Sequence, residues 1–203
     1  KKTVRQRNKT VEMGKIFYIM GKSASGKDKI YSLLAANKEL NLKTLVLYTT
    51  RPIRAGEQDG KNYYFVDDKK LKEFRKNGNL IEARAYHTVH GIWTYFTADD
   101  GQVDLADSDY LGIGTLESLR KYYGEDAVCP VYIQVEDGER LSRALKRERE
   151  QANPKYEEMC RRFIADQSDF SEENVLRAEI WKRFQNTDLD KCVKEIVNYI
   201  KSM

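Results

Sequence analysis

The segment Gly21-Lys22-Ser23-Ala24-Ser25-Gly26-Lys27-Asp28 has the residue types and spacing to hold phosphate. Its small residues let the backbone curl so that several N–H groups point inward. The helix expected to open at Lys27 adds the positive end of its dipole. Lys27 then sets a mobile cation beside the β- and γ-phosphates of a nucleoside triphosphate. A bare G-x-x-x-x-G-K also occurs in ordinary Gly-rich turns; its place after a strand and before a helix favours phosphate. Asp28 stands where a hydroxyl usually binds Mg²⁺. A triphosphate repels a carboxylate unless a cation lies between them, yet carboxylate oxygen is a good Mg²⁺ ligand. Asp28 therefore supports the metal, marks a disabled site, or is merely an acid favoured in a first helical turn.

A second cluster runs Thr49-Thr50-Arg51-Pro52-Ile53-Arg54-Ala55-Gly56-Glu57-Gln58-Asp59-Gly60-Lys61-Asn62-Tyr63-Tyr64-Phe65-Val66. It follows an expected strand, at the carboxyl end where α/β sheets bind ligands. Arg51 and Arg54 could close on one phosphate with forked hydrogen bonds, and Tyr63 could add a neutral donor. Pro52, Gly56 and Gly60 fix the loop's path. A solvated charged loop is the plain alternative.

These loops need rigid elements behind them, and the hydrophobic pattern supplies strands alternating with helices. Strands are expected at 16–20, 44–48, 62–66, 80–86, 93–97, 110–113 and 128–135, with another in 178–184. Helices are expected at 27–37, 69–76, 115–123 and 189–200. A long charged helical stretch covers 138–170, broken near Asn153–Pro154. No repeat is present. Alternation of this kind implies the α/β class: a parallel sheet covered on both faces, with right-handed crossovers. Residues 50–97 and 147–170 read as lobes hung on it.

Composition narrows the function classes. The chain has 203 residues, 40% hydrophobic and 33% charged, with mean hydropathy −0.72. That suffices for one domain with a core and argues against wholesale disorder. The longest clean apolar run, Ile16 to Met20, cannot span a bilayer. Nothing in the first fifteen residues has the apolar length of a signal peptide. Cys129, Cys160 and Cys192 are odd in number and widely spaced, which speaks against a disulfide scaffold and a cysteine zinc site. A reducing, cytoplasmic setting is expected. Lys1, Lys2, Arg5, Arg7 and Lys9 against Glu12 account for the whole net charge of +4, so residues 13–203 balance to zero. The basic pI therefore says little about nucleic acid. Residues 1–12 are expected to be a disordered extension or tag before Met13, the alternative being a basic arm that touches RNA or another subunit.

Together these segments resemble the guanylate kinase family, over nearly everything from Lys15 to Ile200. The T-T-R-x-x-R-x-G-E-x-x-G-x-x-Y-x-F pattern is intact from Thr49 to Phe65. Leu80-Ile81-Glu82 is similar to the family's F-I-E segment, and Asn186-Thr187-Asp188-Leu189-Asp190 to its N-x-D-x-D segment. The resemblance implies a nucleoside monophosphate kinase with a P-loop core (13–49, 98–146 and 171–203), an acceptor lobe (50–97) and a helical lid (147–170). It implies transfer of the ATP γ-phosphate to GMP or dGMP, with Mg²⁺. Gly21 to Asp28 become the ATP phosphate loop, and Arg51, Arg54 and Tyr63 match acceptor-phosphate ligands. Glu82 matches the carboxylate that reads guanine, and Asn186 a residue near the donor base. Lid arginines should neutralise the migrating group: Arg147 or Arg149 fits the first, Arg161 or Arg162 the second. Arg162 is the better match of its pair. ATP and GMP are the expected partners, with no nucleic acid or membrane; monomer and homodimer are both compatible.

Three departures qualify the resemblance. Leu47 replaces a serine. His90-Gly91-Ile92 stands for Y-G-Ser/Thr, leaving His90 as a candidate acceptor-phosphate donor and Ile92 without a hydrogen-bonding group. Leu111-Gly112-Ile113-Gly114 lacks the aspartates of L-D-x-D. Guanine specificity thus rests on Glu82, and Asp28 reads as a relocated metal-associated carboxylate. A binding module of the same fold without catalysis, and a P-loop enzyme with another acceptor, remain the alternatives.

Overall fold

A computed structural model describes residues 13–88, 91–113 and 116–203. The chain opens with β1 (Ile16–Met20) and α1 (Lys27–Ala36), then β2 (Lys43–Thr44), β3 (Tyr48–Thr49), β4 (Tyr64–Phe65), α2 (Asp68–Lys76), β5 (Leu80–Thr88) and β6 (Gly91–Ala98). It continues with β7 (Tyr110–Ile113), α3 (Leu116–Tyr123), β8 (Val128–Gln134), α4 (Asp137–Arg149), α5 (Tyr156–Asp169), α6 (Glu172–Arg177), β9 (Arg183–Gln185) and α7 (Leu189–Ser202). Five strands form a parallel sheet in the order β2-β7-β1-β8-β9. This is the expected α/β core, and β1 shows why both faces are covered. Phe17 and Ile19 point into a cluster with Ile30, Leu34, Cys192 and Ile196. Ile16 and Tyr18 point to the other face, among Leu45, Leu119 and Val175. Successive strand side chains alternate faces, so an unbroken apolar run requires helices on both sides.

Most of the segment expected as the acceptor lobe lies in a second sheet, β4-β3-β6-β5, backed by Leu71 and Phe74 of α2. The single strand expected over 44–48 is two. β2 joins the core and β3 joins the lobe. Between them Leu45 is buried in the core cluster. The Gln102 side chain takes the place of a neighbouring strand at Val46, accepting from its N–H and donating to its C=O.

The strand expected in 178–184 is only β9: the start of that segment, Ala178 and Glu179, is the turn that closes α6, with Glu179 at φ 53°, and α6 itself is capped by the Ser171 hydroxyl accepting from Asn174 N–H. The charged stretch does break as expected, between α4 and α5. Among the described residues no helix is long and apolar enough to cross a membrane.

Candidate functional site

The phosphate loop joins the buried strand β1 to α1. Its N-cap, Gly26, has φ 85° and no side-chain cap, so the first-turn N–H groups of α1 remain available to a ligand. Two glycines are dictated by contact. A Cβ on Gly21 would lie 2.6 Å from the Ile133 carbonyl oxygen, and one on Gly26 would strike the Asn186 amide. Lys27 stands at the mouth with Nζ 3.9 Å from the Asp28 carboxylate, which is 82% exposed. Burial raises the Tyr63 phenol, and the Asp28 charge is near enough to add to that rise.

Asn186 is almost fully buried behind the loop. Its amide donates to the Ser25 carbonyl at 2.8 Å, so its side chain shapes the loop from behind. The other brace, Arg140, is missing from the sequence reading. It is 1% exposed and donates to the Ser23 carbonyl at 2.8 Å. It also pairs with Asp137 and Asp166 and lies over the Phe163 ring. Asp166 of α5 in turn accepts from Ser23 N–H at 2.8 Å. Lys22 donates to Gln167 at 2.7 Å and pairs with Asp137. Burial alone would raise the Asp137 carboxyl, but donors from Arg140 and Gln167 and the Lys22 charge hold it below its ordinary value. A buried charge must be paired to be tolerated, and this network ties the lid helix to one flank of the phosphate loop. The available signal was Arg140 on the apolar face of α4, one turn before buried Ala144.

The lid arginines separate into pairs. Arg147 and Arg162 line one small crevice with Ser23 and Arg140. All four are exposed; Arg149 and Arg161 do not line the crevice, and Arg161 and Arg162 both pair with Glu158 of their own helix. Of the four, Arg147 and Arg162 are the two that line this crevice beside Ser23.

In the acceptor loop, Arg51 is buried at 4% exposure. Its guanidinium donates twice to Glu57, at 2.8 and 2.5 Å, and also to the Pro52 carbonyl and the Tyr95 hydroxyl. The Tyr63 and Phe65 rings flank it at 5.3 and 5.4 Å. Four of its five N–H donors are spent inside the protein, leaving one for a ligand. Arg51 is therefore chiefly the loop's internal strut. The hydrogen bond from Arg51 lowers the Glu57 carboxyl to about 2. Glu57 also accepts from Arg54 N–H, and the Arg54 side chain is exposed.

Beyond this loop lies a cavity of about 430 Å³ lined by Leu47, Tyr63, Glu82, Arg84, Tyr86, Trp93, Tyr95, Phe96 and Ile113. The Thr97 hydroxyl donates to the Glu82 carboxylate at 3.3 Å. His90 and Gly114 lie outside the described residues. Ile92 does not take the expected base-reading place. It pairs with His87, whereas Glu82 pairs with Thr97 and Tyr86 with Trp93. Alternation puts Ile92 on the opposite face, and Trp93 lines the cavity instead. The missing strand aspartate also has a physical counterpart. A Cβ on Gly112 would approach the Tyr18 ring to 3.2 Å, so that ring fills the space a longer side chain would need.

Comparisons with known proteins point to one family. The family model described as "Guanylate kinase" matches residues 13–203. A guanylate kinase of Porphyromonas gingivalis is 27% identical over 191 residues, covering 91% of this chain and 95% of that protein. One of Nitrosomonas europaea is 28% identical over 194 residues, covering 94% and 90%. The crystal structure of guanylate kinase from Anaplasma phagocytophilum superposes with a TM-score of 0.57 at 22% identity, over 94% of this chain and 86% of that one. The last likeness shows the fold.

Proposed function

Since the chain belongs to the guanylate kinase family, we propose that it transfers the γ-phosphoryl group of ATP to GMP, giving ADP and GDP. The observation that carries the reading is one domain that holds both an uncapped helix start with Lys27 and an arginine loop locked by Arg51 and Glu57 beside the aromatic cavity. Retention of Lys27 and both acceptor-loop arginines favours catalysis over a binding-only module.

The nucleophile is a phosphate oxygen of GMP, ionised at neutral pH because its second pKa is about 6. No general base is needed, so the protein's task is positioning and charge neutralisation. The N–H groups of the loop and Lys27 hold the β- and γ-phosphates. Arg54, Tyr63 and the one remaining donor of Arg51 hold the acceptor phosphate in line. An acceptor oxygen forms a bond to the γ-phosphorus as the bond to the β–γ bridging oxygen breaks, and ADP keeps that electron pair. Arg147 and Arg162 balance the charge as it moves, and the lid carrying them excludes water.

Mg²⁺ carried on the ATP phosphates would supply further charge neutralisation. Among the described residues no three His, Cys, Asp or Glu side chains form a metal cage. That fits an ion held mainly by substrate phosphates with one carboxylate in support. Asp28, exposed at the loop's mouth, is the carboxylate we assign to that support. The three cysteines, all unpaired, suit the reducing cytoplasm where nucleotides are used.

Incubation with ATP and GMP should yield ADP and GDP in equal amounts. A bisubstrate analogue should slow amide exchange across residues 147–165. ADP release without GDP, or exchange left unchanged throughout that stretch, would count against the assignment.

A further inference from the structure

Pairing of β5 with β6 sets Glu82 opposite Thr97, Arg84 opposite Tyr95 and Tyr86 opposite Trp93. These six side chains share one face of the sheet. Along it runs a carboxylate, then a guanidinium two residues on, then an aromatic ring, all bordering the 430 Å³ cavity. Two residues along a strand span about 6.6 Å, so the two charges stand side by side. The rest of the lining is apolar or aromatic, and Arg84 is its one cation among the described residues. Tyr63 meets Tyr95 edge to face at 5.6 Å, and Tyr86 meets Tyr95 likewise. This aromatic wall is continuous from the acceptor-phosphate loop to Arg84.

The wall offers surface to a flat ring, and the two charges offer hydrogen bonds to its edge. Glu82 can accept from the N1–H and exocyclic amine of guanine. That leaves O6 and N7, two acceptors, for which Leu47 and Ile113 provide nothing. A guanidinium is the side chain whose forked donors match O6 and N7 together. We propose that Arg84 is a specificity-determining residue that donates to the O6 and N7 edge of the acceptor guanine while Glu82 reads its N1 and N2 edge. This rests on GMP being the acceptor. Adenine is opposed at both places. Its N6 amine would face the Arg84 donors, and its unprotonated N1 would face the Glu82 carboxylate.

The test pairs substrate deletions with side-chain deletions. kcat/KM is measured for GMP, for 2-aminopurine riboside 5′-monophosphate, which lacks O6 and the N1 proton, and for IMP, which lacks the 2-amine; each nucleotide is compared with itself between enzymes. The enzymes are the unmodified chain, Arg84→Met and Arg84→Lys. Arg84→Met should lower kcat/KM for GMP and IMP on the order of 10- to 100-fold, mainly through KM. The 2-aminopurine nucleotide keeps N7 but not O6, so it should lose clearly less than GMP. Arg84→Lys, which keeps the charge but loses the fork, should fall between. An equal loss for all three nucleotides, or no loss for GMP, would overturn the role of Arg84 alone. Failure of the unmodified chain to turn over GMP would overturn the activity and this inference with it.

Discussion

The donor and acceptor sides of the cleft are built in opposite ways. The phosphate loop is a backbone device, made of eight consecutive residues and braced from outside by Asn186 and Arg140. The donors we assign to it are peptide N–H groups and Lys27, and the N–H groups follow wherever the strand-to-helix turn is in place. The acceptor side is a side-chain device. Arg51 and Glu57 lock the loop, and the base cavity is assembled from β5, β6 and segments of the core. A contiguous backbone motif survives large sequence change, whereas a side-chain site can keep its charge pattern while residues trade places.

The sharpest way to break this contrast is Lys27→Ala. It should lower kcat/KM on the order of 10²- to 10³-fold with the thermal midpoint unchanged, since it removes charge and no packing. Near-normal turnover would show that the backbone cradle suffices.

On the acceptor side, the two arginines should part company. Arg54→Ala should lower kcat/KM on the order of 10²-fold and leave the thermal midpoint where it is. Arg51→Ala should lose comparable activity and also lower the midpoint, because it removes the strut that Glu57 grips. If thermal melts do not distinguish the two variants, Arg51 is a ligand and not a strut.

Asp28 probes the donor side more gently. Asp28→Asn keeps the shape and removes the charge, so the Mg²⁺ concentration for half-maximal rate should rise. Asp28→Ser should lose roughly 10-fold or more, because Gly112 offers no second carboxylate. A serine variant as active as the parent at low Mg²⁺ would reduce Asp28 to a helix-start residue.

The smallest effect concerns pH. Glu57 has a folded value of about 2 against an ordinary 4.5. The folded value is the lower one, so its stabilisation is complete above pH 4.5. It fades as pH falls and is gone below about 2. Acid unfolding should therefore depend on this pair between those limits, and Glu57→Gln should remove that part of the dependence. Superimposable acid titrations of parent and variant would contradict the lock.

How much of this was legible in the sequence follows the same division. The loop from Gly21 to Asp28, the parallel core and the break between α4 and α5 could be read because periodicity and local turn chemistry determine them. Asn186 is expected near the donor base only from the resemblance, and its engagement with Ser25 is a contact across 161 residues that no local pattern carries. Arg140 was hidden among many charges of a helix that looked solvated throughout. Ile92 shows how register decides a strand site: a shift of one residue moves the side chain to the other face, and Trp93 takes the place. Arg84 was passed over because its meaning comes from Tyr95 and Glu82 beside it. α6 was missed for its length, although Ser171-Glu172-Glu173 carried a start signal.

The central claim is tested most directly by the acceptor preference of the unmodified chain. kcat/KM with ATP is measured in a diphosphate-forming assay for GMP, dGMP, AMP, CMP and UMP. A guanine nucleotide should win by at least tenfold over AMP and the pyrimidines, which is ~1.4 kcal/mol of transition-state discrimination. A tenfold preference for AMP or a pyrimidine nucleotide would contradict it.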